Sequence, residues 1–160
     1  MSSLDFSTAH IGSAGGTGFG GNDAAEFFAS HGMNKPDDLA KVRARQNYYA
    51  SMVPAVPKAH TRLLDAMVVR IGQRGWRCMV GYGHAPEHMA LYCEDLDVLI
   101  SGDMVLPRIS TNISVYASEP QSNPLQLFLD SLERMRALPD TVLILPSHGK
   151  PFKGLYERIN

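Results

Sequence analysis

The sequence predicts an α+β fold in which a mixed or antiparallel sheet carries flanking helices. Three observations predict it. MVVRIG, WRCMVGY, HMALYC and DVLISGD are short runs rich in β-branched or aromatic residues, and they follow one another as strand, turn, strand. That order suits hairpins better than a wound parallel sheet. NDAAEFFASHG, KPDDLAKVRARQNYYASMV and NPLQLFLDSLERMRALP read as helices placed before and after the strands. Finally, 160 residues with 44% hydrophobic and 19% charged content are enough for one domain with a real core.

The same numbers exclude several classes. A net charge of −1 gives no reason to expect a nucleic-acid or membrane-surface partner. DVLISG and TVLILP are too short to cross a bilayer. MSSLDFSTAH has neither a basic start nor an apolar core, so no secretory signal is expected and the chain reads as cytoplasmic. Cys78 and Cys93 lie in apolar strand-like runs and are expected as buried free thiols.

Residues 1–22 differ from the rest. HIGSAGGTGFGGN is glycine-rich and poor in core formers, which predicts an irregular arm or linker, with residues 23–160 as the domain proper. GTGFGG satisfies G-x-G-x-x-G from Gly16 to Gly21. No convincing strand precedes it, so a flexible linker is favoured over a phosphate loop. Asn22 or Asp23 caps the first predicted helix, and Gly32 stops it. The second starts at Pro36 with Asp37 and Asp38 in its first turn, and sets Leu39, Val42, Gln46 and Tyr49 roughly along one face. GQRG suits a hairpin turn between the first two strands, and Glu94 and Asp95 turn the next pair. A long connection, MVLPRISTNISVYASEPQS, leads to a helix capped by Asn123, with Pro124 in its first position and Gln126 at the capping-box site. Leu125, Phe128, Leu129, Leu132 and Met135 form its apolar stripe, expected as core. TVLILP is then a buried strand, with SHGKPF the loop at its end.

Polar residues stand where these apolar runs hand over to loops: His84 and His88 in GYGHAPEH, Asp103 in ISGD, His148 in LPSHG. Strand ends are where sheet enzymes place reacting groups. Imidazole and carboxylate are ligands for zinc, and equally for iron or manganese, and such an ion acidifies a water molecule. Pro86 argues against a helix that would put His84 and His88 on one face, so by spacing at most one of the two is a ligand. Ordinary satisfied histidines explain the same pattern without a metal.

GYGHAPEHMALYCEDLDVLISGDMVLP followed by LPSHGKPFKGLYERI resembles the later part of the metallo-β-lactamase superfamily, with glyoxalase II-like hydrolases among its members. The order G-H-x-x-x-H, strand, G-D, strand, S-H-G carries the resemblance over residues 23–160. It implies part of an αββα sandwich, and thioester- or ester-type hydrolysis of a small-molecule substrate by metal-activated water. One or two ions of zinc, iron or manganese are implied. By position, His88 would ligate the first metal, Asp103 would be the catalytic carboxylate bridging two metals, and His148 would ligate the second. His84 would support the site from behind the ligands. Arg108, Asn112 and Tyr116 lie on the connection beside the site and are candidate substrate contacts. The superfamily's H-x-H-x-D-H run does not occur in these residues, and TAHIGSAGG, with His10, is only a faint echo of it. Two readings follow: a shortened, impaired metallohydrolase, or a non-catalytic remnant that acts as an oligomerising or partner-binding domain, with a homodimer expected. A single-ion site completed by His10 or His31 is a lesser third.

Overall fold

Five strands form one sheet in chain order: β1 (Val68–Ile71), β2 (Arg74–Gly81), β3 (His88–Cys93), β4 (Val98–Gly102) and β5 (Leu143–Pro146). The first three pairings are antiparallel, and β4–β5 is parallel. The sheet is therefore mixed, as the sequence predicts. This computed structural model describes residues 1–16, 20–45 and 48–160. The β1–β2 hairpin is tighter than the GQRG turn suggests. Ile71 pairs with Arg74, so Arg74 and Gly75 already belong to the second strand. β3 and β4 are joined by a 3-10 turn at Glu94–Leu96, closed by Asp97 in the left-handed region at φ 49°.

Strand alternation sorts the sheet into two faces. Met79, Ala90, Tyr92, Leu99 and Ile144 share one face, and they are buried with Met104, Val105, Met135, Leu138, Val142 and Leu155. On the other face Cys78 and Cys93 are buried free thiols, as expected, together with Val80. Leu91, Ile100 and Leu145, aligned across three strands on this second face, are only partly covered.

α5 (Pro124–Met135) lies between β4 and β5 in sequence, as a parallel pair requires. Asn123 caps it, accepting the Gln126 N–H on Oδ1 at 3.1 Å. The Gln126 side chain turns forward to Asp130 instead of completing the capping box. The predicted stripe is narrower than drawn. Met135 is buried and Phe128 and Leu132 pack on the core, whereas Leu125 and Leu129 are 56% and 49% exposed. The buried arc is centred on the Phe128–Met135 line and includes Ser131, which leaves Leu125 and Leu129 on its solvent flank. α6 (Leu155–Ile159), which the sequence reading missed, buries Leu155 and hydrogen-bonds the Leu106 carbonyl through Arg158 Nε.

The N-terminal stretch departs most from expectation. Helix α1 (Ser3–Ser13) occupies residues expected as an irregular arm. Its local chemistry explains this: Ser2 Oγ accepts the Asp5 N–H at 3.1 Å, a cap bond, and the glycines cluster only from Gly12 onward. Met1 is tied down as well, its carbonyl accepting the Leu63 N–H at 3.1 Å. The G-x-G-x-x-G stretch includes Thr17, Gly18 and Phe19, which lie outside the described residues.

The chain divides into two compact units, one of residues 1–5, 61–114 and 123–160, the other of residues 6–60 and 115–122. The first holds the sheet, α5 and α6. In the second, α2 (Gly21–Ser30) packs on α3 (Pro36–Ala44), with Ala24 and Ala25 buried. α2 starts from Gly20 and not from an Asn22 or Asp23 cap. The long helix predicted from Pro36 is two pieces, α3 and α4 (Tyr48–Met52). Gln46 of its proposed face lies outside the described residues, and no residue of α3 is buried. Among the described residues, no helix is long and apolar enough to cross a membrane.

Candidate functional site

Three loops at strand ends in the first unit bring His84, Asp103 and His148 together. β2 runs out at Gly81, and the Tyr82 N–H is then caught by Ser131 Oγ of α5 at 2.9 Å. Gly83 follows at φ 96°, with the Pro124 carbonyl and Phe128 of α5 directly against its Cα. The chain thereby bends around the start of α5 and delivers His84. The His84 Nδ1 lies 2.9 Å from the Asn112 carbonyl oxygen, which can only accept, so Nδ1 carries the proton. The second nitrogen, Nε2, points at Asp103 Oδ2, 3.3 Å away.

Asp103 is presented by a tightly tied turn. The Ser101 carbonyl accepts the Met104 N–H at 3.1 Å, and the buried Ser101 Oγ donates to the Val105 carbonyl at 2.9 Å. Thr111 Oγ1 donates to the Asp103 carbonyl at 2.6 Å, and the Ser147 N–H donates to the Gly102 carbonyl at 3.1 Å. This last bond anchors the loop after β5, where His148 stands with its Nε2 3.4 Å from Asp103 Oδ1. His148 is the most open of the three, its side chain 64% exposed against 27% for Asp103.

The carboxylate of Asp103 thus has one imidazole at each oxygen. The 3.4 Å approach of His148 is an ion-pair distance, and Oδ1 is buried without a hydrogen-bond partner. A buried carboxylate oxygen without a hydrogen bond is an acceptor that a cation can take up. A pair of donors about 2.1 Å from one ion at a tetrahedral angle stand roughly 3.4 Å apart, close to both separations here. His84 also has the backbone-carbonyl partner on its far nitrogen that metal-bound histidines use. The donor chemistry of these three side chains would suit a divalent ion. The set is partial: among the described residues no group of three or more His, Cys, Asp or Glu converges to hold an ion by itself.

His88 is placed differently. It is the first residue of β3, and its Nε2 lies 3.0 Å from the Ser101 carbonyl, so that nitrogen carries the proton and donates. Burial pushes its pKa below the ordinary histidine value, as does nearby His84, against the Ser101 bond, Asp5 and Asp103, which raise it. A depressed histidine pKa means that the unfolded state takes up protons first. Its contribution to stability is therefore complete above about pH 6.5 and is lost as the pH falls toward the folded-state pKa. Thermal melts of His88→Gln should lose less stability between pH 7 and pH 5 than wild type; parallel curves would refute this.

Arg108 is exposed, five residues after Asp103. Asn112 offers its carbonyl to His84 while its side-chain amide donates to Ser114 Oγ at 3.1 Å. Tyr116 belongs to the second unit and is half-buried there. His10 and His31 also belong to that unit, where each faces a backbone carbonyl, of Pro57 and Phe27 respectively. Ser101, Thr111 and Ser131, which tie the loops, escaped the sequence reading. Ser101 carried a signal, being a polar residue inside an apolar run on the core-facing parity of β4.

Comparison with known proteins agrees with the fold described above. The chain is 48% identical to a beta-lactamase domain protein from Burkholderia ambifaria, with a TM-score of 0.88 over 99% of this chain and 43% of that one. It is 27% identical to TTHA1623, a protein solved in a di-iron-bound form, at a TM-score of 0.52 over 66% of this chain and 51% of that one. The probable metallo-hydrolase YqjP of Bacillus subtilis (strain 168) is 32% identical over 87 residues, 52% of this chain and 27% of YqjP. The chain therefore spans about a quarter of that curated relative and under half of the Burkholderia protein. The family model for the metallo-beta-lactamase superfamily matches residues 9–148, nearly the whole chain and all the strand-end loops described above. With its mixed sheet, helices and His–Asp–His row, the chain belongs to the metallo-beta-lactamase superfamily.

Proposed function

We propose that this chain carries part of the metal centre of a hydrolase acting on a thioester- or ester-type bond, the glyoxalase II-like reaction, in a small-molecule substrate. The observation that carries the reading is Asp103, with a histidine Nε2 facing each of its oxygens and Oδ1 buried without a hydrogen bond. His84 and Oδ2 would hold one ion, His148 and Oδ1 the other. This ligand assignment exchanges the parts that the resemblance implies for His84 and His88, because the Nε2 of His88 is committed to Ser101. Zinc, iron or manganese suits such donors, and TTHA1623 binds a pair of irons. When bound, the ion acidifies a water molecule and polarises the carbonyl under attack. The chain's own contribution is orientation. Asn112 keeps His84 in the tautomer with Nε2 free, and the Ser101–Val105 turn keeps the carboxylate between the two rings. Arg108 and Asn112, on the connection after Asp103, are the proposed substrate contacts.

Elemental analysis of chain purified without chelator or affinity metal tests this. About two equivalents per chain, lost together with thioester hydrolysis in His84→Ala and His148→Ala, is the expected result. No metal and no hydrolysis would overturn it.

One observation favours a second reading, the oligomerising or partner-binding domain. Leu91, Ile100 and Leu145 form an apolar row on the partly covered sheet face, and a second sheet surface is what such a row packs against. A homodimer through this face should appear in sedimentation at high protein concentration and disappear in Ile100→Lys. A monomer at all concentrations would exclude it.

A further inference from the structure

His88 stands at the register position opposite Gly81, yet its ring reaches across to the next strand, β4. The Ser101 carbonyl there receives two donors, the Nε2–H of His88 at 3.0 Å and the Met104 N–H at 3.1 Å. Both lone pairs of that oxygen are thus used. Gly102 and Asp103 are the two residues enclosed between Ser101 and Met104. Gly102 is in the left-handed region at φ 56°, and a Cβ there would overlap Cε1 and Nε2 of the His88 ring. The ring therefore lies directly against the Gly102 Cα and closes the turn on the β3 side. Thr111 and Ser147 tie the same turn from other directions, on the Asp103 and Gly102 carbonyls.

We infer that His88 is a positioning residue: through the Ser101 carbonyl and the face of Gly102 it holds the turn that sets the Asp103 carboxylate between His84 and His148. The consequence for metal binding rests on the function proposed above; the consequence for the turn does not. Without the His88 bond, one lone pair of a buried carbonyl is left empty and the ring no longer backs Gly102. The Asp103 side chain is then free to sample other χ1 rotamers. Glutamine at position 88 has an amide N–H that can donate to the same carbonyl, so it should recover most of the ordering, and alanine none.

Three readouts on the full chain test this. In metal-free protein, three-bond NMR couplings of Asp103 should report a single χ1 rotamer in wild type and His88→Gln and rotamer averaging in His88→Ala. In a Zn²⁺ titration, the Nε2 resonances of His84 and His148 should move while the hydrogen-bonded Nε2–H proton of His88 persists. Zn²⁺ affinity should fall about 10- to 100-fold in His88→Ala, the usual range for partners behind the ligands, with most of the loss recovered in His88→Gln. Unchanged Asp103 couplings in His88→Ala would overturn the inference, and so would loss of the His88 Nε2–H signal on adding Zn²⁺, which would make His88 a direct ligand. Failure of the proposed function looks different: Asp103→Asn would bind Zn²⁺ like wild type while the coupling result still decides the role of His88.

Discussion

Asp103→Asn should lower the affinity of the chain for Zn²⁺ by more than about 100-fold while leaving the metal-free protein at least as stable as wild type. The first effect follows from the donor chemistry. Changing a group behind the ligands already weakens binding by about 10- to 100-fold, and removing the one carboxylate that faces both histidines should exceed it. The second effect has the opposite sign because Asp103 is poorly satisfied without a cation. Its Oδ1 is buried and has no hydrogen bond, and a neutral amide relieves the uncompensated charge there. The backbone bonds of the turn, from Thr111 to the Asp103 carbonyl and from Met104 to Ser101, do not involve the carboxylate and should survive. Calorimetric titration with Zn²⁺ and a metal-free melt, done on the same preparation, check both signs. A variant that loses stability and affinity together would mark Asp103 as a structural residue.

Gly83→Ala is expected to cost about 3 kcal/mol, lowering Tm by roughly 10 °C. The added Cβ would overlap the Pro124 carbonyl and approach Phe128 Cβ and N to 2.7 and 2.9 Å. Two of these three atoms are backbone of α5, so a side-chain rotation cannot clear them. At φ 96° the backbone also lies in a region that L side chains rarely adopt. Relief requires α5 to move away from the strand end, which would break the Tyr82–Ser131 bond and shift His84 from Asp103. The same variant should therefore weaken Zn²⁺ binding in the fraction that remains folded. A melt within 2 °C of wild type, a small fraction of the expected shift, would show that α5 gives way freely.

The two glycines beside the site illustrate how much was legible in advance. GYGH and ISGD read as strand-to-loop transitions from the sequence, since each glycine ends an apolar run and precedes a polar residue. What presses on them was not legible: α5 on Gly83, and the His88 ring on Gly102. The N-terminus shows the opposite case. The glycines between Gly12 and Gly21 predict an irregular arm over the first 22 residues, whereas Ser2 and Asp5 form an ordinary helix start upstream of them. In α5, the apolar positions were read correctly as helical. Which of them faced the sheet depended on how the helix was rolled, and Leu125 and Leu129 fell on the solvent side.

The sequence by itself determined the strands, their turns, and the placing of His84, His88, Asp103 and His148 at loop junctions, because period-two burial and glycine or proline punctuation are local properties. Its motif order also sufficed to suggest the superfamily. Only the tertiary structure decided which imidazoles face Asp103. That choice is made by ring orientation, and the rings are oriented by carbonyls remote in the chain: Asn112 is 28 residues from His84, and Ser101 is 13 residues from His88. Spacing places the two histidines within four residues of each other, His84 in the loop and His88 at the start of β3, but hydrogen bonds to distant backbone determine where each nitrogen points.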